Sequence, residues 1–170
     1  MLCCDASTRG SARLVLTRAA RLYPPSRHWG ARPSRDPRSD LVTRAAPALP
    51  LLGALSEGQQ EMAREYIRTV LETNESVNLT AVKDFDDAMV KHVEDSLSLL
   101  PVLDRCSPAG PDGPASLLDV GSGAGLPAFV IAIARPQWSI VAMDTLRKRC
   151  DFMTATADKL GLQVSRVGEW

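Results

Sequence analysis

The sequence predicts an α/β fold, a parallel sheet with helices packed on it, preceded by a helical front. Two observations point to the sheet: "SLLDVGSGAG" runs from an apolar stretch through an acid into three alternating glycines, and "WSIVAMD" is a second apolar stretch ending in an acid. A third points to the front, where apolar residues recur at helical spacing between Leu55 and Leu100.

Composition divides the chain. Residues 1–50 hold nine arginines, no lysine and three aspartates, whereas the remaining 120 carry eleven basic and seventeen acidic groups. The first segment, rich in Arg, Ala, Ser and Pro, has no sustained apolar period and is expected to stay disordered. At most it forms a short basic helix over 11–22. Its composition fits an organelle transit peptide, chloroplast before mitochondrion or cytoplasm, and no secretory apolar core follows the early charges. A basic arm that holds RNA by counterion release, or a misplaced start codon, are the competing readings. No apolar run reaches the roughly 18–20 residues that span a bilayer, so no membrane partner is expected. The four cysteines, Cys3, Cys4, Cys106 and Cys150, lack histidines at ligand spacing, so neither a metal site nor a disulfide framework is expected.

The helical part is placed at 51–107. "LSEGQQEMAREYIRTVLETN" puts Met62, Tyr66, Ile67, Val70 and Leu71 on one face. Ser56 and Gln59 have the spacing of a capping box, and Asn74 is the expected end. After the extended "ESVNLTAVKD", a second helix is expected from Asp86 to Leu100, with Pro101 stopping it. On its surface His92, Asp95 and Ser96 are neighbours at i, i+3 and i+4. A catalytic triad needs tertiary geometry that such neighbours rarely provide, so a structural hydrogen-bonding role is expected of them. Residues 106–114, "CSPAGPDGP", are a turn-rich connector.

The sheet part is placed at 116–170. Ser116–Val120 reads as a buried strand with Asp119 near its end. Gly121, Gly123 and Gly125 then permit a tight turn and close approach of a ligand, and a helix is expected over Leu126–Ala134. The strand from Trp138 ends at Asp144, 23 residues after Gly121, where a βαβ unit places an acid for two ribose hydroxyls. A dinucleotide loop reads G-x-G-x-x-G, but Leu126 stands where its third glycine would fall. The pattern here, D-x-G-x-G-x-G, resembles the first motif of Rossmann-like class I methyltransferases, which bind S-adenosylmethionine and cradle no pyrophosphate. No Gly-Lys-Ser/Thr follows, which excludes a P-loop.

Beyond that motif, "VNLTAV" (77–82), "MVKHVEDSL" (89–97), "LLDVGSGAGLP" (117–127), "ARP" (134–136) and "MDTLRKRCDFM" (143–153) resemble one family. It is the bacterial-type small-subunit ribosomal RNA methyltransferase G, also called glucose-inhibited division protein B. Ala124 and Ala128 stand where many members have Pro and Gly. The resemblance implies transfer of a methyl group from S-adenosylmethionine to N7 of a guanine in small-subunit ribosomal RNA. It implies cofactor contacts at Gly121, Gly123, Gly125 and Leu126, with Asp119 beside them, and the adenosine ribose on Asp144. It also implies that Arg166 touches RNA and that Val167 and Gly168 touch the cofactor, although members usually carry an acid where Gly168 stands. Arg147, Lys148 and Arg149 open the helix after Asp144 and are candidates for RNA phosphates. The net acidic charge after residue 50 makes any RNA surface local.

The chain reaches Trp170 where a third strand is expected to begin or end. The fold is therefore expected to be an incomplete Rossmann-like domain, truncated at its carboxyl end, monomeric, with an apolar sheet edge left open. Two further readings stand beside the ribosomal RNA enzyme: a non-catalytic remnant that binds RNA or a partner, and a methyltransferase for another substrate.

Overall fold

A computed structural model describes residues 2–5, 13–17 and 47–165. The elements are β1 (Leu2–Asp5), β2 (Arg13–Thr17), α1 (Pro50–Gly53), α2 (Glu57–Val77), α3 (Phe85–Ala88), a π-helical turn (Met89–Glu94), α4 (Asp95–Leu97), α5 (Leu100–Cys106), β3 (Ser116–Val120), α6 (Ala128–Ala134), β4 (Ser139–Met143), α7 (Arg147–Leu160) and β5 (Val164–Ser165). The sheet order is β1-β2-β3-β4-β5. β2 to β5 run parallel, with Leu117 opposite Ile140 and Ile140 opposite Val164, and β1 lies antiparallel on β2.

β3 and β4 fall where the apolar runs place them. The pairing of β2 with β3 departs from expectation in two ways. Arg13–Thr17 is a strand and not part of a basic helix, and the β3 edge expected to stand open is covered along all five residues. "RLVLT" has the short apolar run and β-branched content of a strand, and β3 offers it an unpaired backbone row. Leu2–Asp5 likewise departs from the expected disorder.

α2 begins as predicted. Ser56 Oγ accepts from the Gln59 amide at 3.4 Å, and the Gln59 side chain accepts from the Ser56 amide at 3.0 Å. It does not end at Asn74 but runs to Val77 and stops at Asn78, whose φ of 57° is left-handed. The Asn74 side chain instead brackets Thr80, taking its amide at 2.8 Å and donating to its carbonyl at 2.9 Å. These two bonds tie Thr80 to α2.

Pro101 is a further correction, for it opens α5 and does not end the run before it. Proline fits the first turn because the amide it lacks has no partner there anyway. Met89, Val93, Leu97 and Leu100, spaced four, four and three residues apart, are all buried.

All seven residues of α6, "AFVIAIA", are buried. A helix apolar all round belongs between two layers, and α6 lies between the sheet and helices α2 and α4. One apolar cluster therefore joins the helical front to the sheet, from Leu52 through Tyr66, Phe129 and Ile140 to Met153. α7 packs on α2, where Lys159 reaches Glu65 at 2.8 Å and Thr69 at 3.0 Å. That hydrogen bond, with Arg68 adding to it, holds Glu65 below the usual glutamate range.

Arg135 forms a two-pronged pair with Asp104, Nε to Oδ1 at 3.0 Å and Nη2 to Oδ2 at 2.6 Å, each side chain 19% exposed. It ties α5 to the end of α6. Arg135→Ala is expected to lower stability by about 1–3 kcal/mol in urea unfolding, since it strands a half-buried carboxylate. Arg135→Lys is expected to recover less than half, because a point charge cannot form the fork. Equal stability of Lys and Arg would show that charge alone matters.

Candidate functional site

The loop after β3 has three left-handed glycines, with φ of 81° at Gly121, 63° at Gly123 and 93° at Gly125. Its start is tied to β4, because the Gly121 and Ser122 amides both donate to the Met143 carbonyl at 2.8 and 2.9 Å. Ser122 Oγ donates to the Asp119 carbonyl at 3.1 Å and accepts from the Met143 amide at 3.2 Å. The Gly125 and Leu126 amides both turn back to the Ser122 carbonyl, so α6 starts at Ala128, two residues later than expected.

Two buried carboxylates hold the loop. Asp119, 3% exposed, accepts from the Ala128 amide at 3.3 Å. Asp144, also 3% exposed, takes the Gly123 amide on Oδ2 at 2.9 Å and the Leu146 amide on Oδ1 at 2.9 Å. Such charge-assisted bonds are among the stronger ones a backbone amide makes. Arg149 Nη1 stands 3.4 Å from the same Oδ2. The acid expected at a ribose is thus an anchor of the glycine loop in this structure.

Above the loop lies a cavity of about 790 Å³, within the range of small-molecule sites. One wall is Ser122–Ala124 with Leu126 and Pro127. The other is Asn78–Val82 with His92, Asp95, Ser96 and Leu99, while Lys91 and Arg149 add cations. Among the predicted residues, Gly123, Leu126 and Arg149 line the cavity. Gly121 and Gly125 shape the loop, and Asp119 and Asp144 sit behind it.

The basic run Arg147, Lys148, Arg149 divides. Arg147 is 79% exposed and 3.9 Å from Asp151, and Lys148 is exposed, but Arg149 is 29% exposed and turned to Asp144. Leu146, just before α7, is 53% exposed. It precedes the helix as its cap, outside the helical period. Arg166, Val167 and Gly168 lie outside the described residues.

His92, Asp95 and Ser96 do not form a triad. His92 Nε2 is 2.9 Å from Thr80 Oγ1, while Ser96 Oγ donates to the carbonyl of His92 itself. Thr80 Oγ1 also accepts from the Val82 amide at 3.2 Å, so His92 and Thr80 brace the outer wall. The roles of Thr80 and Asn74 were not read from sequence, although "VNLTAV" signalled that the segment matters. Among the described residues no group of three or more His, Cys, Asp or Glu is placed to hold a metal, and no helix is long and apolar enough to cross a membrane.

The profile described as "rRNA small subunit methyltransferase G" matches residues 59–169, which include α2 from Gln59 onward, both cavity walls and the glycine loop. The chain belongs to the GidB family. GidB-family relatives named ribosomal RNA small subunit methyltransferase G include that of Bordetella pertussis, 41% identical over 106 residues, covering 62% of this chain and 46% of that protein. The Burkholderia ambifaria protein is 35% identical over 130 residues, 76% of this chain and 53% of its own length. That of Psychrobacter cryohalolentis is 41% identical over 123 residues, 72% and 48%. The chain spans about half the length of the curated relatives it matches.

Proposed function

We infer that this chain builds the S-adenosylmethionine site of a class I methyltransferase, a Rossmann-like domain of which it holds the first strands. The whole protein is then a transferase that methylates N7 of a guanine in small-subunit ribosomal RNA, in the ribosome or its precursor. The observation that carries the reading is the left-handed glycine loop, pinned by Asp119 and Asp144 under a cavity large enough for a nucleoside and a base.

The cavity chemistry fits the cofactor. Gly123 leaves room for a close approach along the loop, and Leu126 offers an apolar contact. Asp144 holds one amide on each oxygen, with Arg149 beside Oδ2, and a carboxylate has about four acceptor positions, so Oδ1 keeps capacity for a ribose hydroxyl that reaches it. When bound, S-adenosylmethionine supplies an electrophilic methyl group on its sulfonium. Guanine N7 already carries a lone pair, so the chain's own task is to align the base and exclude water, and no general base is required. Arg147, Lys148 and Arg166 are the candidates for RNA phosphates. Arg149 is the cation at the cavity itself.

Calorimetric titration of S-adenosylmethionine into the full chain, followed by methylation of small-subunit RNA and mass spectrometry of its nucleosides, tests the reading. Binding with appearance of N7-methylguanine is expected. Binding followed by methylation of another acceptor would shift the substrate class, and a folded chain that binds nothing would leave the RNA- or partner-binding remnant.

Residues 1–50 retain the organelle-leader reading, chloroplast first. Imaging of a fluorescent protein fused to residues 1–50 tests it. Cleavage after Thr17 would remove β1 and β2 and uncover β3, so unfolding of the processed chain is the companion measurement.

A further inference from the structure

Tyr66 lies on α2, far from the glycine loop in sequence, yet its hydroxyl donates to the Ala124 carbonyl at 2.8 Å. Its ring is fully buried and stacks on Phe129, centroids 5.4 Å apart and planes inclined by 19°. Phe129 in turn fills the space beside Gly125, where a Cβ would come 2.5 Å from the ring. Ala124 itself lines the cavity and is 3% exposed, so its carbonyl bond is made in a desolvated place.

We propose that Tyr66 is a positioning residue for the cofactor, its hydroxyl setting the peptide plane at Ala124 and so the shape of the glycine loop that S-adenosylmethionine meets. The proposal rests on the cofactor reading above and assigns α2 a part in it. The loop's other anchors, Asp119, Asp144 and Met143, all come from β3, β4 or their ends, so Tyr66 supplies a hold from the helical front. A buried carbonyl without its donor would turn toward water or another amide, and a loop free to do so must be ordered again on binding. Burial, with Asp119 adding to it, pushes the phenol well above its ordinary value, so the hydroxyl remains a donor at neutral pH.

The test is Tyr66→Phe in the full chain, which keeps the ring and its stack. Val70→Ala is the control, equally buried on the same helix, with a side chain that carries no polar atom to bond the loop. S-adenosylhomocysteine is titrated by calorimetry, and amide exchange over 121–128 is followed without ligand. Tyr66→Phe is expected to weaken binding about five- to tenfold, the value of one net hydrogen bond, and to speed exchange in the loop while β3 and β4 stay protected. Val70→Ala is expected to lose stability with affinity unchanged. Unchanged affinity and exchange in Tyr66→Phe would overturn the proposal, and so would its failure to fold, because the hydroxyl would then be a requirement of the core. If the wild-type chain binds no S-adenosylhomocysteine, the cofactor reading has failed, and the exchange comparison still decides whether Tyr66 shapes the loop.

Discussion

Gly125→Ala is expected to cost about 2–4 kcal/mol of stability and to abolish measurable S-adenosylmethionine binding. Two penalties meet there. The φ of 93° is one that L residues rarely adopt, and the new methyl would lie 2.5 Å from Phe129 Cδ2 and 2.8 Å from Cε2. Phe129 has nowhere to retreat, being fully buried and stacked on Tyr66. Gly121→Ala separates the penalties, because φ there is 81° but nothing lies within 4 Å of the added carbon. It is expected to cost only about 1 kcal/mol. Urea unfolding of both variants, with midpoint and slope compared, is the measurement. Equal costs at the two glycines would mean that backbone conformation alone decides, and that the Phe129 contact relaxes freely.

The second large effect is expected at Asp144. Asp144→Ala removes the acceptor of both the Gly123 and Leu146 amides and leaves Arg149 facing an empty corner. Losing two buried acceptors is expected to destabilise the chain by about 2–4 kcal/mol and to weaken S-adenosylmethionine binding at least tenfold, about 1.4 kcal/mol or more. Asp144→Asn is expected to fall between, since its one remaining carbonyl oxygen can serve one amide but not both. Arg149→Gln removes the cation and keeps the acid, so it reports whether the pair matters to the loop. A stable Asp144→Ala chain with weakened binding would assign the acid to the ligand alone. Loss of stability with unchanged affinity would assign it to the loop alone.

Some of this architecture was legible because its signals are local. Ser116–Val120 carries its own apolar pattern and is bounded by glycine, so β3 could be delimited to the residue. Ser56 and Gln59 contain within four residues the reciprocal bonds that start α2. The glycine loop was legible for the same reason, since left-handed backbone demands glycine wherever the loop goes. Pro101 misled because one residue suits both the end of one helix and the first turn of the next, and only the path of the chain chooses.

What the sequence by itself determined is the order of strand, glycine loop, helix and second strand, together with the acids at the strand ends, because dihedral preference and apolar period act over a few residues. Only the tertiary structure decided what those groups touch. It turned Asp144 inward to the Gly123 amide and separated Arg149 from Arg147 and Lys148. It also laid β2 along β3 and brought the Tyr66 hydroxyl to Ala124 across 58 positions. Those contacts depend on how layers pack and which buried polar atoms then need partners, and no local pattern encodes that accounting.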